Sequence, residues 1–220
     1  MKQKKKINWV EFGKASLVVL CALVTVCFTW GLPQLFSYGA SNFPSIPLDN
    51  SIPLVTEFVW VYYFTFPLAI FTIYVLYYTN REAMFEIVIA FMVSCFISMI
   101  FYFCYPTEMI KPALDPVTFS DKFTIATWNA SRPVYCLPSQ HCFMALSCII
   151  ASFHEKKIHI SVRIFTFVCG ILIICSTVLI KQHYLLDAIA SLCILVPIFF
   201  IFKLLNLGKK CNKIIFKEKN

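Results

Sequence analysis

The stretch "STVLIKQHYLLDAIA" (residues 176–190) joins two apolar runs and carries Lys181, His183 and Asp187 between them. Residues 164–180 before the lysine and 188–202 after the aspartate hold no charged side chain. A charge placed toward the bilayer centre costs up to ~2.5–3.5 kcal/mol, so three ionisable groups kept together at this junction point to a site. Working outward, further uncharged runs cover 15–32, 58–78, 87–105 and 142–153. A spanning helix needs roughly 20 predominantly apolar residues. The runs at 142–153 and 188–202 are short, and each reaches that length only if extended toward the polar residues before it, Pro138–His141 and His183–Asp187.

Composition agrees with this reading. Of the 220 residues 60% are hydrophobic, 17% aromatic and 14% charged, too apolar for the surface of a soluble domain of this size. The expected fold class is all-α, a polytopic membrane protein with six transmembrane helices. It forms one integral membrane domain over 1–220, with basic cytoplasmic tails at 1–14 and 203–220. Six spans place both termini on one side, and the basic residues say which. Lys2, Lys4, Lys5, Lys6 and Lys14, Arg81, Lys156, Lys157 and Arg163, and Lys203, Lys209, Lys210, Lys213, Lys217 and Lys219 fall on one face, expected to be cytoplasmic. Lys111, Lys122, Arg132 and Lys181 fall on the other.

A net charge of +8 raises the question of nucleic acid. The lysines form short juxtamembrane runs without a folded domain to display them, so the bilayer and its anionic headgroups are the expected partner, and no nucleic acid. The first 35 residues have the Lys-rich start of a signal peptide, but the 18-residue run lacks a small-residue cleavage pattern and reads as a span. Seven of the eleven cysteines lie inside spans, where a thiol packs as a small apolar group. Cys136 and Cys142 flank His141 and leave a disulfide or a metal site open. Pro67 predicts a kink in the second span. The outer segments 37–56 and 106–138 are long, with three and five prolines, and read as loops or interfacial pieces.

His183 and Asp187 are four residues apart, so a helix starting there puts both on one face. The carboxylate then fixes the imidazole tautomer and leaves the other ring nitrogen free as base or nucleophile. In "LPSQHC" (137–142) Ser139 is a natural N-cap after Pro138, and a helix N-terminus beside His141 suits an anion. The two histidines are 42 residues apart, about two spans, and should meet at the outer face. Two histidines, a carboxylate, a helix N-terminus and several cations describe a site for a phosphate-like group.

These residues resemble a known family. "PSQH" followed by "HYLLD" is similar to the second and third motifs of the type 2 phosphatidic acid phosphatase (PAP2) superfamily, six-span lipid phosphatases and phosphotransferases. The resemblance covers about 60–200, and "YPTEMIKP" (105–112) with "TVLIKQHYLLD" (177–187) looks closest to the inositolphosphotransferase-like branch. It implies His183 as a nucleophile forming a phosphohistidine, Asp187 orienting it, His141 as general acid, and Ser139 binding phosphate oxygens; Gln140 beside Ser139 belongs to the same group. No metal and no cofactor are implied. The pattern departs in two places. Lys111-Pro112 stands for the usual Arg-Pro, with Cys104 in place of the motif's lysine, and Ser176-Thr177 stands for Ser-Arg. Arg132, in Arg132-Pro133, and Lys181 are the cations that can compensate, and Thr177 takes the arginine's position. Losing one preorganised donor costs on the order of 10²–10³ in rate.

The expected function is hydrolysis of a lipid phosphate ester or diphosphate at the outer face of the plasma membrane. Headgroup transfer to an acceptor alcohol, a silent lipid-binding member, and a metal site of two histidines and one carboxylate are the alternatives. A homo-oligomer stays open.

Overall fold

The computed structural model describes residues 8–36, 42–130, 132 and 136–216. Lys2, Lys4, Lys5, Lys6, Lys217, Lys219 and Pro133 lie outside them. In chain order the helices are α1 (Trp9–Gln34), α2 (Pro47–Ser51), α3 (Val59–Tyr63), α4 (Thr65–Thr79), α5 (Arg81–Cys104), α6 (Phe119–Asn129), α7 (Gln140–His154), α8 (Ile160–Leu179), α9 (Leu185–Leu204) and α10 (Leu207–Phe216). Among the described residues there is no strand, only a lone bridge between Asn42 and Thr107. The chain is an all-α polytopic membrane protein.

Among the described residues five helical stretches are long and apolar enough to cross a membrane: α1, the continuous Thr56–Thr79 stretch, α5, α8 and α9. In lipid every backbone polar group needs an internal partner, and the ends show how each is found. Asn8 Oδ1 accepts from the N–H groups of Val10 and Glu11 to start α1, and Asn80 Oδ1 accepts from Ala83 N–H to start α5. The expected kink at Pro67 falls at Phe64, between α3 and α4. Proline cannot donate to the carbonyl four residues back. The Thr65 hydroxyl donates to Tyr62 O at 2.5 Å and tightens this break.

The fourth expected span does not reach spanning length. α7 begins at Gln140, not at Pro138, because Ser139 caps it. Its 15 residues rise about 22 Å, some 8 Å short of a hydrocarbon core. It can be short because it lies inside the bundle, packed on α4, α5, α8 and α9. Ala145, Ser147, Cys148, Ala151 and Ser152 are buried there, and small side chains let helices approach closely. Gly170 on α8 faces Ala145 O and Ile149, so the α7–α8 contact has no room for a side chain. The shortfall sets the start of α7, and therefore His141, below one end of the bundle.

The described parts of the proline-rich segments roof that end and include two helices that the prolines concealed. α2 starts on Pro47, and α6 starts with Thr118 and Asp121 capping each other's backbone N–H. The Thr56 hydroxyl, at 2.6 Å, and the N–H groups of Thr118 and Val117 all donate to Asp121, holding its carboxyl down to about 2. Trp60 stacks on Phe119 and Phe123, docking α6 against α3.

At the opposite end α10 packs on the start of α5. Arg81 pairs with Glu11 at 2.7 Å and lies over the Phe216 ring, and Lys14 Nζ donates to Ile215 O.

Candidate active site

The junction between α8 and α9 is a tight turn held by one carbonyl. Thr177 O accepts from the N–H groups of both Gln182 and His183, at 3.0 Å each. Lys181 lies in the left-handed region at φ 52°, which a lysine adopts only when its surroundings fix it. Asp187 is the third residue of α9 and fully buried. Its Oδ2 accepts from Tyr184 N–H at 3.1 Å and from His183 Nδ1 at 3.0 Å. The pair therefore forms by a different route from the one expected. His183 precedes the helix, and the turn, not a shared helical face, swings its ring over the carboxylate. An ionised carboxylate only accepts, so Nδ1 carries the proton and Nε2 is left with a free lone pair.

The second motif is held from three sides. Ser139 Oγ accepts from Cys142 N–H at 3.3 Å, Tyr102 OH donates to Pro138 O at 2.7 Å, and Leu137 N–H donates to Thr107 Oγ1 at 3.0 Å. The Ser191 hydroxyl bridges the two motifs, lying 3.0 Å from Ser139 O and 2.7 Å from Asp187 O. His141 stacks on Tyr62 with ring centroids 4.0 Å apart, and its Nδ1 lies 3.1 Å from the Tyr62 hydroxyl. The His141 and His183 rings are 6.4 Å apart, centroid to centroid.

Both histidines line one cavity of about 240 Å³, with Gln140, Arg132, Cys136 and Tyr62 among the other walls. Gln140 Nε2 donates to the hydroxyls of Thr29 and Ser98, which leaves its buried Oε1 without a partner.

Of the remaining site candidates, Ser139, Thr177, Lys181 and Lys111 do not line this cavity. Ser139 spends its hydroxyl on the helix cap. Thr177 donates its own to Ile174 O, a back-bond within α8. Lys181 is drawn outward, its ammonium donating to Ile52 O at 2.6 Å and Asp49 O at 3.1 Å. Lys111 stands one layer behind the cavity, donating to Lys181 O at 2.7 Å and to Gln182 Oε1 at 3.1 Å, with the Trp128 ring beneath it. Burial pushes the Lys111 ammonium down to about 8. Arg132 is exposed at the cavity wall, its guanidinium 3.1 Å from Phe36 O at the end of α1.

Several residues that build the site had no signal in the sequence. Tyr62 lies 79 positions before His141, inside an aromatic-rich span that reads as lipid-facing. Asp49 accepts from Leu185 N–H at 2.9 Å and from Ile46 N–H at 2.8 Å, pinning the first turn of α9 to the proline-rich loop. Cys136 and Cys142 form no disulfide, so that reading falls. Burial, then the Asp187 charge, pushes the Cys136 thiol up to about 12. The group with metal-ligand spacing among the described residues is Cys136, His183 and Asp187, rather than two histidines and a carboxylate.

No curated protein and no solved structure matches this chain. The sequence profile of the PAP2 superfamily matches residues 45–201, which takes in Lys111, Ser139, His141, His183 and Asp187 and leaves out α1. Over two-thirds of the sequence lies within that match, and the chain belongs to the PAP2 superfamily.

Proposed function

We propose that the protein is a lipid phosphatase that works through a phosphohistidine on His183. Superfamily membership implies phosphatase-type chemistry. The observation that carries the finer reading is the His183–Asp187 pair facing His141 across one cavity. A phosphoryl group bound between the rings is attacked by His183 Nε2, while Nδ1–H stays on Asp187 and the carboxylate stabilises the imidazolium. The P–O bond to the leaving alcohol breaks as His141 delivers a proton to that oxygen. Water then attacks phosphorus, His141 takes its proton, and the P–N bond opens to release phosphate. Arg132 is the cation in the wall for the phosphate oxygens, whereas the Gln140 amide N–H groups are spent on Thr29 and Ser98 and do not serve them. Lys111 acts from behind, fixing the 181–182 turn and adding positive charge to the site.

The cavity's other walls support a lipid substrate. Val26, Cys27, Trp30 and Phe66 make its α1–α4 side apolar, and Val26 also lines a narrow, wholly apolar groove running along α1 and α4. A headgroup between the histidines with the first carbons of its hydrocarbon part against Val26, Cys27, Trp30 and Phe66 fits these walls. The site is read as facing the outer side and both termini the cytoplasm, because 15 of the 19 basic residues fall in the tails and connections that the sequence assigns to one face, and the histidine motifs to the other.

The test is phosphate release in detergent from a panel of phosphatidate and prenyl diphosphate lipids, with chelator present, for wild type, His183→Ala and His141→Ala. Release lost in both folded variants is the expected result. Absence of release from every lipid, together with transfer to an added alcohol, would instead make the protein a headgroup phosphotransferase.

A further inference from the structure

The proposed chemistry leaves two groups at the site unused: the Cys136 thiol and the second oxygen of Asp187. Cys136 is buried and lines the cavity. Its sulfur, a ring nitrogen of His183 and a carboxylate oxygen of Asp187 all lie within 4.8 Å of one another. Asp187 is fully buried, and while Oδ2 is filled by two donors, Oδ1 has no hydrogen-bond partner. A buried acceptor without a partner is destabilising, and a cation beside it removes that cost. Sulfur, imidazole nitrogen and one carboxylate oxygen are the donor set of a borderline-soft ion, with bonds of ~2.0–2.3 Å. Magnesium is poorly served by it, since that ion seeks near-octahedral oxygen.

We propose that Cys136, His183 and Asp187 form an inhibitory site for a thiophilic divalent cation such as Zn²⁺, with water from the cavity as the fourth ligand. Small shifts of three side chains bring the donors onto one ion. Metal–sulfur, metal–nitrogen and metal–oxygen bonds form, the thiol proton leaves to solvent, and no electron is transferred. The ion takes the imidazole and the carboxylate that phosphoryl transfer needs, so the loaded protein cannot form the P–N bond. Binding stands on the three donors alone; its inhibitory consequence rests on the proposed function.

Two measurements on the full chain in detergent, stripped with chelator and then freed of it, separate these parts. The first is a Co²⁺ titration followed by thiolate charge-transfer absorption, with Zn²⁺ displacement. Wild type is expected to bind one equivalent with a thiolate band. That band is expected to be missing in Cys136→Ser and Cys136→Ala, and missing or strongly weakened in His183→Gln. The second is inhibition of phosphate release by Zn²⁺, each variant normalised to its own metal-free rate. Half-inhibition is expected to need at least ~10–100-fold more Zn²⁺ in Cys136→Ser, since losing even an outer-shell partner of a metal costs that much. No band in wild type, a band unchanged in both cysteine variants, equal Zn²⁺ sensitivity of wild type and Cys136→Ser, or faster turnover with metal would each overturn the proposal. A Cys136-dependent band with no phosphate release from any lipid would keep the metal site and remove the phosphatase reading.

Discussion

The two ends of the helix bundle use the same kinds of residue in opposite ways. At the histidine end, His183 and Asp187 are buried, and apart from Asp187 Oδ1 and Gln140 Oε1 the polar atoms named around them have partners: Thr177 O and Ser191 Oγ on one side, Tyr102 OH and Thr107 Oγ1 on the other. At the basic end, Arg81 and Glu11 meet at 2.7 Å but stay about a quarter exposed, and Lys203 reaches His154 at the surface. A charge pair in water is worth little because hydration competes with it, whereas a buried pair has no such competitor. Hydrogen bonds therefore fix a geometry at one end and only fasten helix ends at the other. The Glu86–His154 contact at the basic end is also largely buried, but at 3.6 Å it is too long for a hydrogen bond and does not orient the ring as Asp187 orients His183.

The sharpest way to break the comparison is to remove the buried pair. His183→Ala is expected to lower phosphate release by roughly 10⁴–10⁶-fold, and Asp187→Asn by about 10⁴-fold, with both proteins still helical by circular dichroism. An Asp187→Asn variant within tenfold of wild type would show that the carboxylate does not orient the ring.

Lys111 tests the layer behind. Because burial brings its pKa down to about 8, it is an ammonium below that pH and a neutral amine above it, where an ordinary lysine stays charged to about 10. Activity that needs this charge is lost as pH rises through about 8. Lys111→Arg, whose charge persists, should abolish that fall, and Lys111→Met should cost about 10²–10³-fold at neutral pH. An unchanged alkaline limb in the arginine variant would exclude Lys111 as its source.

Tyr62→Phe keeps the ring stacked on His141 and removes only the hydroxyl. The net value of one hydrogen bond, about 0.5–1.5 kcal/mol, predicts a three- to tenfold loss of activity, roughly. At the basic end Arg81→Ala should leave phosphate release within about twofold and lower stability by no more than about 1 kcal/mol, read as a small shift in thermal unfolding. A large loss of activity there would mean that the two ends are coupled through α5.

How much of this was readable in advance differs from residue to residue. The i, i+4 spacing of His183 and Asp187 anticipated their contact but not its geometry, since a turn makes it. Ser139 was recognisable as a cap, and that very role removes its hydroxyl from the cavity. Lys181 was attractive because it sits two residues from His183, yet adjacency in sequence does not set direction, and its backbone at φ 52° sends the side chain to Ile52 and Asp49. Helix α6 was hidden by flanking prolines, although Thr118 and Asp121 are spaced as a helix start.

From the sequence alone came the long uncharged runs, the distribution of basic residues, the two histidine motifs and their separation, because hydropathy and spacing act along the chain. Only the tertiary structure decided that α7 is short and central, that Tyr62 stacks on His141, that Lys111 stands behind Gln182, and that Cys136 comes within 4.8 Å of the His183–Asp187 pair. Those contacts join positions tens of residues apart, and their directions are set by how helices pack and where each buried polar group finds its partner.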